Sequence, residues 1–314
     1  METTDNTVVI LLAAYNGAAY LPEMIDSLLA QDTDDFRLVL SDDHSQDGTP
    51  ALLADYAARF PEKIVYHDSG LRFGSAQKHF MYLLSRFGDS APYLMFCDQD
   101  DVWHSDKVRK TLALMKKTET EEKLPALVHT DLRVVDQDLR EMAPSFLRYS
   151  RLDGGCTALR RLLVQNVVTG CTVMVNRELA RLASGDVPEA CLMHDWWLAL
   201  LASACGRVGF LDEATMDYRQ HGTNTVGAKD AGSLTYVTGK LRENRMKTAI
   251  FDTFDQAGAL ADRYAGLLPA AEEATLRDYG ALARKGKLAR ITAYSSGGFW
   301  KQGLARRAGQ LLWG

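Results

Sequence analysis

Apolar residues fall along this chain in two rhythms, and the balance between them changes near residue 227. Over roughly the first hundred positions, short unbroken apolar runs alternate with stretches in which apolar side chains recur every third or fourth place. Unbroken runs of strand length mark strands covered on both faces, and the longer spacing marks amphipathic helices. The pattern predicts strand Val8–Ala14, then helix Pro22–Gln31 with Met24, Ile25, Leu28 and Leu29 inward. Strand Phe36–Ser41, helix Pro50–Phe60 and strand Lys63–His67 follow, then a helix capped by Ser75 and running to Phe87, then strand Tyr93–Cys97. Thr49 before Pro50 reads as a side-chain cap followed by proline at the first helical position. Strands and helices in this alternation predict an α/β fold around a mostly parallel, doubly wound sheet.

Further along, Ser105 is expected to cap a helix through Lys117, with a charged connection at Lys116–Lys123 and a strand at Ala126–Thr130. A helix near Thr157–Val164, a strand Cys171–Asn176, a helix starting near Asp195, and strands Arg207–Leu211 and Thr215–Arg219 complete this part. The chain therefore divides into residues 1–227, which hold the sheet, and residues 228–314, a helical region of two or three helices. Ser295-Ser-Gly-Gly298 breaks that region before a last segment in which Trp300, Leu304 and Leu311 share a helical face. Such a basic, aromatic-bearing helix suits a membrane interface. It equally suits packing on its own domain or on the second copy of a homodimer.

Composition narrows the class without naming a function. A hydrophobic share of 46% and a charged share of 25% in 314 residues are those of an ordinary globular protein. No apolar run reaches the length of a membrane span, and Val8–Ala14 reads as a core strand rather than a signal peptide. Five cysteines without a C-x-x-C pair read as buried thiols of a cytoplasmic protein, not as a zinc site. The net charge of −5 conceals an asymmetry: residues 281–314 carry seven bases and no acid. That tail is a candidate for an anionic surface, and no nucleic-acid partner is expected.

Two acidic clusters carry the candidate chemistry. Tyr93–Cys97 ends abruptly in Asp98-Gln99-Asp100-Asp101, and Phe36–Ser41 ends in Asp42-Asp43-His44-Ser45-Gln46-Asp47-Gly48-Thr49. Acids crowded at the end of a core strand repel one another and resist desolvation, which a hard divalent cation relieves. Alternate residues of an extended chain point the same way, so Asp98 and Asp100 can face one ion. The plain structural readings are an acidic turn with Asp101 as a helix cap, and a loop of turn-forming residues. Two such clusters at equivalent strand ends favour a site, because ligands of open α/β sheets bind beyond the carboxyl ends of the strands.

The ordered set Ala13-Ala14-Tyr15-Asn16-Gly17, Asp42-Asp43-x-Ser45-x-Asp47-Gly48-Thr49 and Asp98-Gln99-Asp100-Asp101 resembles inverting glycosyltransferases of family 2, with the GT-A fold. The resemblance continues through Gln165-Asn166-x-x-x-Gly170, His194-Asp195-Trp196-Trp197 and Tyr218-Arg219-Gln220-His221-Gly222-x-Asn224, covering roughly residues 7–227. It is strongest to bacterial rhamnosyltransferases of cell-surface polysaccharide synthesis. The resemblance implies a nucleotide-sugar donor, dTDP-L-rhamnose foremost, and a saccharide or polyprenyl-linked acceptor at the cytoplasmic face of the membrane. A UDP-hexose or UDP-N-acetylhexosamine donor is the alternative, and a non-catalytic nucleotide-sugar scaffold the third reading. It implies Mg²⁺ or Mn²⁺ held by Asp98, Asp100 and His221, with Asp100 foremost and Asp101 third choice. Ala14, Tyr15, Asn16, Asp42, Asp43, Asp98 and Gln99 would border the nucleotide, Arg219 would neutralise a phosphate, and Asp195 would be the catalytic base. Whether His194 assists it is left open.

Overall fold

The computed structural model describes residues 6–119, 124–221 and 240–314, residues 240–244 by their backbone alone. The strands are β1 Val8–Ala14, β2 Phe36–Asp42, β3 Ile64–Tyr66, β4 Tyr93–Cys97, β5 Val102–Trp103, β6 Ala126–Val135, β7 Glu141–Ala143, β8 Met174–Asn176 and β9 Arg207–Arg219. The helices are α1 Leu21–Leu29, α2 Thr49–Arg59, α3 Ala76–Phe87, α4 Lys107–Thr118, α5 Phe146–Tyr149, α6 Leu159–Leu162, α7 Arg177–Ala183 and α8 His194–Cys205. They continue as α9 Lys240–Arg263, α10 Ala270–Gly280, α11 Lys287–Gly297 and α12 Leu304–Trp313.

Packing divides the chain into two units. The first comprises Met1–Phe146, Thr169–Asp186 and Arg207–Ala228, and the second Leu147–Val168, Val187–Gly206 and Lys229–Gly314. The sequence pattern predicts one boundary near residue 227, whereas segments 147–168 and 187–206 pack with the C-terminal helices. The reason is α8, whose apolar side chains run all round the helix and must be covered on every side. Within the second unit the Trp196 indole donates to the Leu162 carbonyl at 2.7 Å, and the Trp197 ring lies 6.2 Å from that of Tyr264. The expected break at Ser295–Gly298 falls where α11 ends, with Gly298 in the left-handed region at φ 72°.

The sheet belongs to the first unit and runs β3-β2-β1-β4-β8-β6-β9-β5, with β7 added to β6. β1 is parallel to β2 and β4, and β2 to β3, so the parallel, doubly wound expectation holds for this half. Beyond β4 the sheet is mixed: β8 is antiparallel to both β4 and β6, and β9 is parallel to β6 but antiparallel to β5. The chain leaving β4 crosses to the far edge as β5, and later strands return in both directions. The two strands expected over 207–219 are one, because register shifts against β6 absorb the polar residues between them.

Every residue of β4 is buried, and β1 is buried except at Ala13, as unalternating apolar runs require. Register aligns Ala14 with Asp42 and Leu12 with Cys97, so the chain leaves three adjacent parallel strands side by side. Among the described residues no helix is long and apolar enough to cross a membrane.

Candidate active site

The exits of β1 and β2 are knitted together by side chains acting on backbone. Asn16 adopts a left-handed φ of 49°, which asparagine tolerates, and its N–H donates to Ser45 Oγ at 2.7 Å. Asn16 Oδ1 in turn accepts the Gln46 N–H at 2.8 Å. Asp42 accepts from both the N–H and the hydroxyl of Ser45. Asp47 accepts the N–H groups of Thr49 at 3.0 Å and Ala18 at 3.1 Å, while the Thr49 hydroxyl takes the Gly17 N–H at 2.9 Å. Thr49 is therefore not the cap of α2; Gly48 holds that position and Asp47 supplies the carboxylate. Burial works against the Asp47 charge, but hydrogen bonds from Thr49 and Ala18 hold its carboxyl below the usual range.

Asp43 is buried with both oxygens engaged, by the N–H groups of Phe73 and Gly74, so it anchors the loop before α3. Ser75 caps that helix through the Lys78 N–H at 3.3 Å, as expected. Beneath lies His79, its ring stacked 4.5 Å from Phe73 and its Nε2 at 2.8 Å from Ser41 Oγ. Burial pushes this imidazole down to about 4.

Gln99 bridges the exits of β1 and β4. It accepts the Tyr15 N–H at 2.7 Å and donates to the Tyr15 carbonyl at 3.0 Å. A Cβ at Gly17 would come within 2.3 Å of Gln99 Oε1, so the close approach requires glycine there. The Tyr15 ring stands 47% exposed at this edge, where a planar ligand could stack.

The acids after β4 are arranged differently. Asp100 Oδ2 lies 2.7 Å from His221 Nε2, and the His221 ring stacks on Tyr20 at 4.8 Å. Asp101 is fully buried; one oxygen accepts the Arg219 N–H at 3.1 Å, and Oδ2 has no hydrogen-bond partner among the described residues. Burial, then the charges of Asp100 and Asp98, push its carboxyl well above the usual range. Ligand-type atoms of Asp98, Asp101 and Cys171 lie within 4.8 Å of one another. Burial and neighbouring carboxylates likewise push the thiols of Cys171 and Cys97 upward.

This donor set fits a divalent cation. An orphaned buried carboxylate oxygen beside two further acids gains what it lacks from a hard ion, which prefers oxygen ligands. The sequence motifs rank Asp101 third and give Cys171 no role. Their meeting depends on the antiparallel pairing of β4 with β8, which local pattern does not reveal.

Arg219 is buried behind the acids. Its guanidinium donates to the carbonyls of Asp100 at 2.8 Å and Gln137 at 2.6 Å and pairs with Glu23. It lies 5.2 Å over the Tyr20 ring. These bonds hold the Asp100–Asp101 backbone and already engage the guanidinium that the resemblance assigns to a phosphate. Lys107, which follows the acids in sequence, is also internal. It donates to Thr215 Oγ1 at 3.1 Å beside the Trp103 ring, and burial pushes it down to about 8. Gly222 and Asn224 lie outside the described residues.

In the second unit Asp195 occupies the second position of α8, after His194, with Met193 as the capping residue. It is not the helix cap. Asn166 donates to Asp195 Oδ1 at 3.2 Å, and the Trp196 N–H donates to the same oxygen at 2.5 Å. Asn166 is itself fixed, exchanging bonds with the carbonyl and N–H of Val168 at 2.9 and 3.0 Å. The helix N-terminus favours a carboxylate there. Burial pushes His194 down to about 3, leaving a neutral imidazole that is a weak base.

Comparison with known proteins bears on the fold and the family. A relative in Shigella flexneri, the dTDP-rhamnosyl transferase RfbG, is 26% identical over 226 residues, covering 69% of this chain and 74% of that protein. The solved S. aureus TarS 1–349 in complex with UDP superposes with TM-score 0.57 at 15% identity, over 92% of this chain and 75% of that one. A mannosyltransferase from Pyrobaculum calidifontis, PcManGT, in complex with GDP-Man and Mn²⁺, gives TM-score 0.52 at 18% identity, over 92% and 79%. The architecture is that of the GT-A α/β class. The sequence model "Glycosyl transferase family 2" matches residues 9–180, more than half the chain, and this protein belongs to that family.

Proposed function

We propose that the protein transfers L-rhamnose from dTDP-L-rhamnose, with inversion, to a saccharide or polyprenyl-linked saccharide in surface polysaccharide synthesis. The observation that carries the metal-dependent part is the Asp98–Asp101 element, with its orphaned buried oxygen and its Asp100–His221 pair. The rhamnosyl donor is supported by the likeness to a dTDP-rhamnosyl transferase. A UDP-hexose or UDP-N-acetylhexosamine donor is the second reading, favoured by the fold shared with a UDP-bound protein.

In this reading Tyr15, Asn16 and Gln99 border the nucleotide. Asp42 accepts from the base, since the N3–H of thymine or uracil is a donor. Asp98, Asp100, Asp101 and His221 would hold Mg²⁺ or Mn²⁺, which when bound supplies charge to offset the departing diphosphate. Asp195 takes the proton of the acceptor hydroxyl as its oxygen bonds to the anomeric carbon and the carbon–oxygen bond to the diphosphate breaks. Asn166 holds that carboxylate in one orientation. Nothing covalent is asked of the protein, so positioning and electrostatics carry the rate.

Asp195→Asn is expected to leave donor binding intact and lower transfer about a thousandfold, within the range for loss of a general base. Transfer within tenfold of the parent would place the base elsewhere.

A further inference from the structure

We propose that the outer face of α12 is a docking surface for an anionic lipid bilayer. The sequence pattern places Trp300 on this face, but Trp300 precedes the helix and packs 6.0 Å from the Tyr294 ring. The side of α12 turned inward instead carries Gly309 and Gln310. Gln310 accepts the Lys301 N–H at 3.1 Å and donates to the Phe299 carbonyl at 2.7 Å, which locks the rotation of the helix. The side turned outward carries Leu304, 84% exposed, with Ala308 and Leu311, and Leu312, 61% exposed. Spacings of four, seven and eight residues put these on one face.

The surroundings select the occupant. Lys287 donates to the Leu312 carbonyl at 2.7 Å, which brings the start of α11 and its 82% exposed Leu288 beside the end of α12. Arg284, Lys285, Lys287 and Arg307 are all exposed here, and residues 281–314 contain no acid to balance them. A second copy meeting this face about a two-fold axis would set base against base. A few leucines also fall well short of the roughly 800 Å² per partner of a stable interface. A bilayer needs no such area: apolar side chains enter the headgroup boundary while the surrounding bases meet anionic lipid. The surface is independent of the donor and of the transfer reaction.

The test is flotation of the full chain with phosphatidylglycerol-containing vesicles and with pure phosphatidylcholine vesicles. Deletion of the tail is unsuitable, because Gln302 bonds Asp153 and Gln165, and Arg306 bonds Ser150 and Arg151. Leu304→Ser/Leu312→Ser and Arg284→Ser/Lys285→Ser alter exposed side chains and should keep the parent melting temperature. Binding is expected to require the anionic lipid and to weaken on the order of tenfold in either variant and in high salt. Equal binding to both vesicle types, no binding to either, or unchanged binding by both variants would overturn the proposal. So would a leucine variant that turns a dimer into a monomer in sedimentation while vesicle binding stays the same.

Discussion

The chain has two acidic clusters, at the ends of the strands that flank β1, and they solve the problem of charge in opposite ways. After β2, the carboxylates of Asp42, Asp43 and Asp47 all accept from N–H and hydroxyl groups of Ser45, Phe73, Gly74, Ala18 and Thr49, Asp42 keeping further acceptor capacity for a ligand. Each acid there builds a loop, and Asp47 is held below the usual carboxylate range. After β4, burial and like charge push Asp101 above it, and its Oδ2 lacks a hydrogen-bond partner among the described residues. Acidic composition is therefore a poor guide by itself. A carboxylate satisfied by backbone donors serves as framework, and one whose ionisation is opposed by its neighbours is suited to a cation.

The largest expected break in this contrast is catalytic. Asp98→Asn should lower transfer about a thousandfold, as loss of a group that stabilises the leaving charge does. Its chemical denaturation midpoint should stay level or rise, because one like charge beside Asp101 is gone. Coupled loss of activity and stability would mean that Asp98 is framework too.

Asp43→Asn should show the reverse pattern. The amide places a donor against one of two backbone N–H groups, and hydrogen bonds to a charged acceptor contribute about 1.5–3 kcal/mol each. Urea denaturation should register a loss of about 2 kcal/mol, with metal binding retained by whatever fraction remains folded. An undiminished midpoint would remove Asp43 from the framework.

The last effect, similar in size, is one of pH. His79, under the first cluster, has a folded value of about 4, below its unfolded 6.5. The unfolded chain therefore binds more protons between these values, and stability is lost as pH falls from 6.5 toward 4. By pH 5 the loss is about 2 kcal/mol. Stability measured at pH 7.5 and 5 should fall less steeply in His79→Asn than in the parent, and equal slopes would count against the burial argument.

Much of this was legible in sequence where local chemistry decides. The runs Val8–Ala14 and Tyr93–Cys97 coincide with β1 and β4, since an unbroken apolar run of that length has few other uses. Asp100 and His221, named together from separate motifs, meet across 121 residues. What escaped depends on distant pairing. Cys171 reaches Asp101 through β8 against β4, and Arg219, which the resemblance assigns to a phosphate, is carried by β9 behind the acids. Segments 147–168 and 187–206 join the helical unit because α8 is apolar all round, which periodicity along one segment cannot assign to a partner.

The central claim is that the cluster after β4, and not the one after β2, holds a divalent cation with the donor. The direct measurement is calorimetric titration of dTDP-L-rhamnose into the parent, Asp98→Asn and Asp47→Asn chains, each with Mn²⁺ and with chelator. Metal-dependent binding that is lost in Asp98→Asn and kept in Asp47→Asn is the predicted result. Equally tight binding in chelator, or binding lost only in Asp47→Asn, would contradict it.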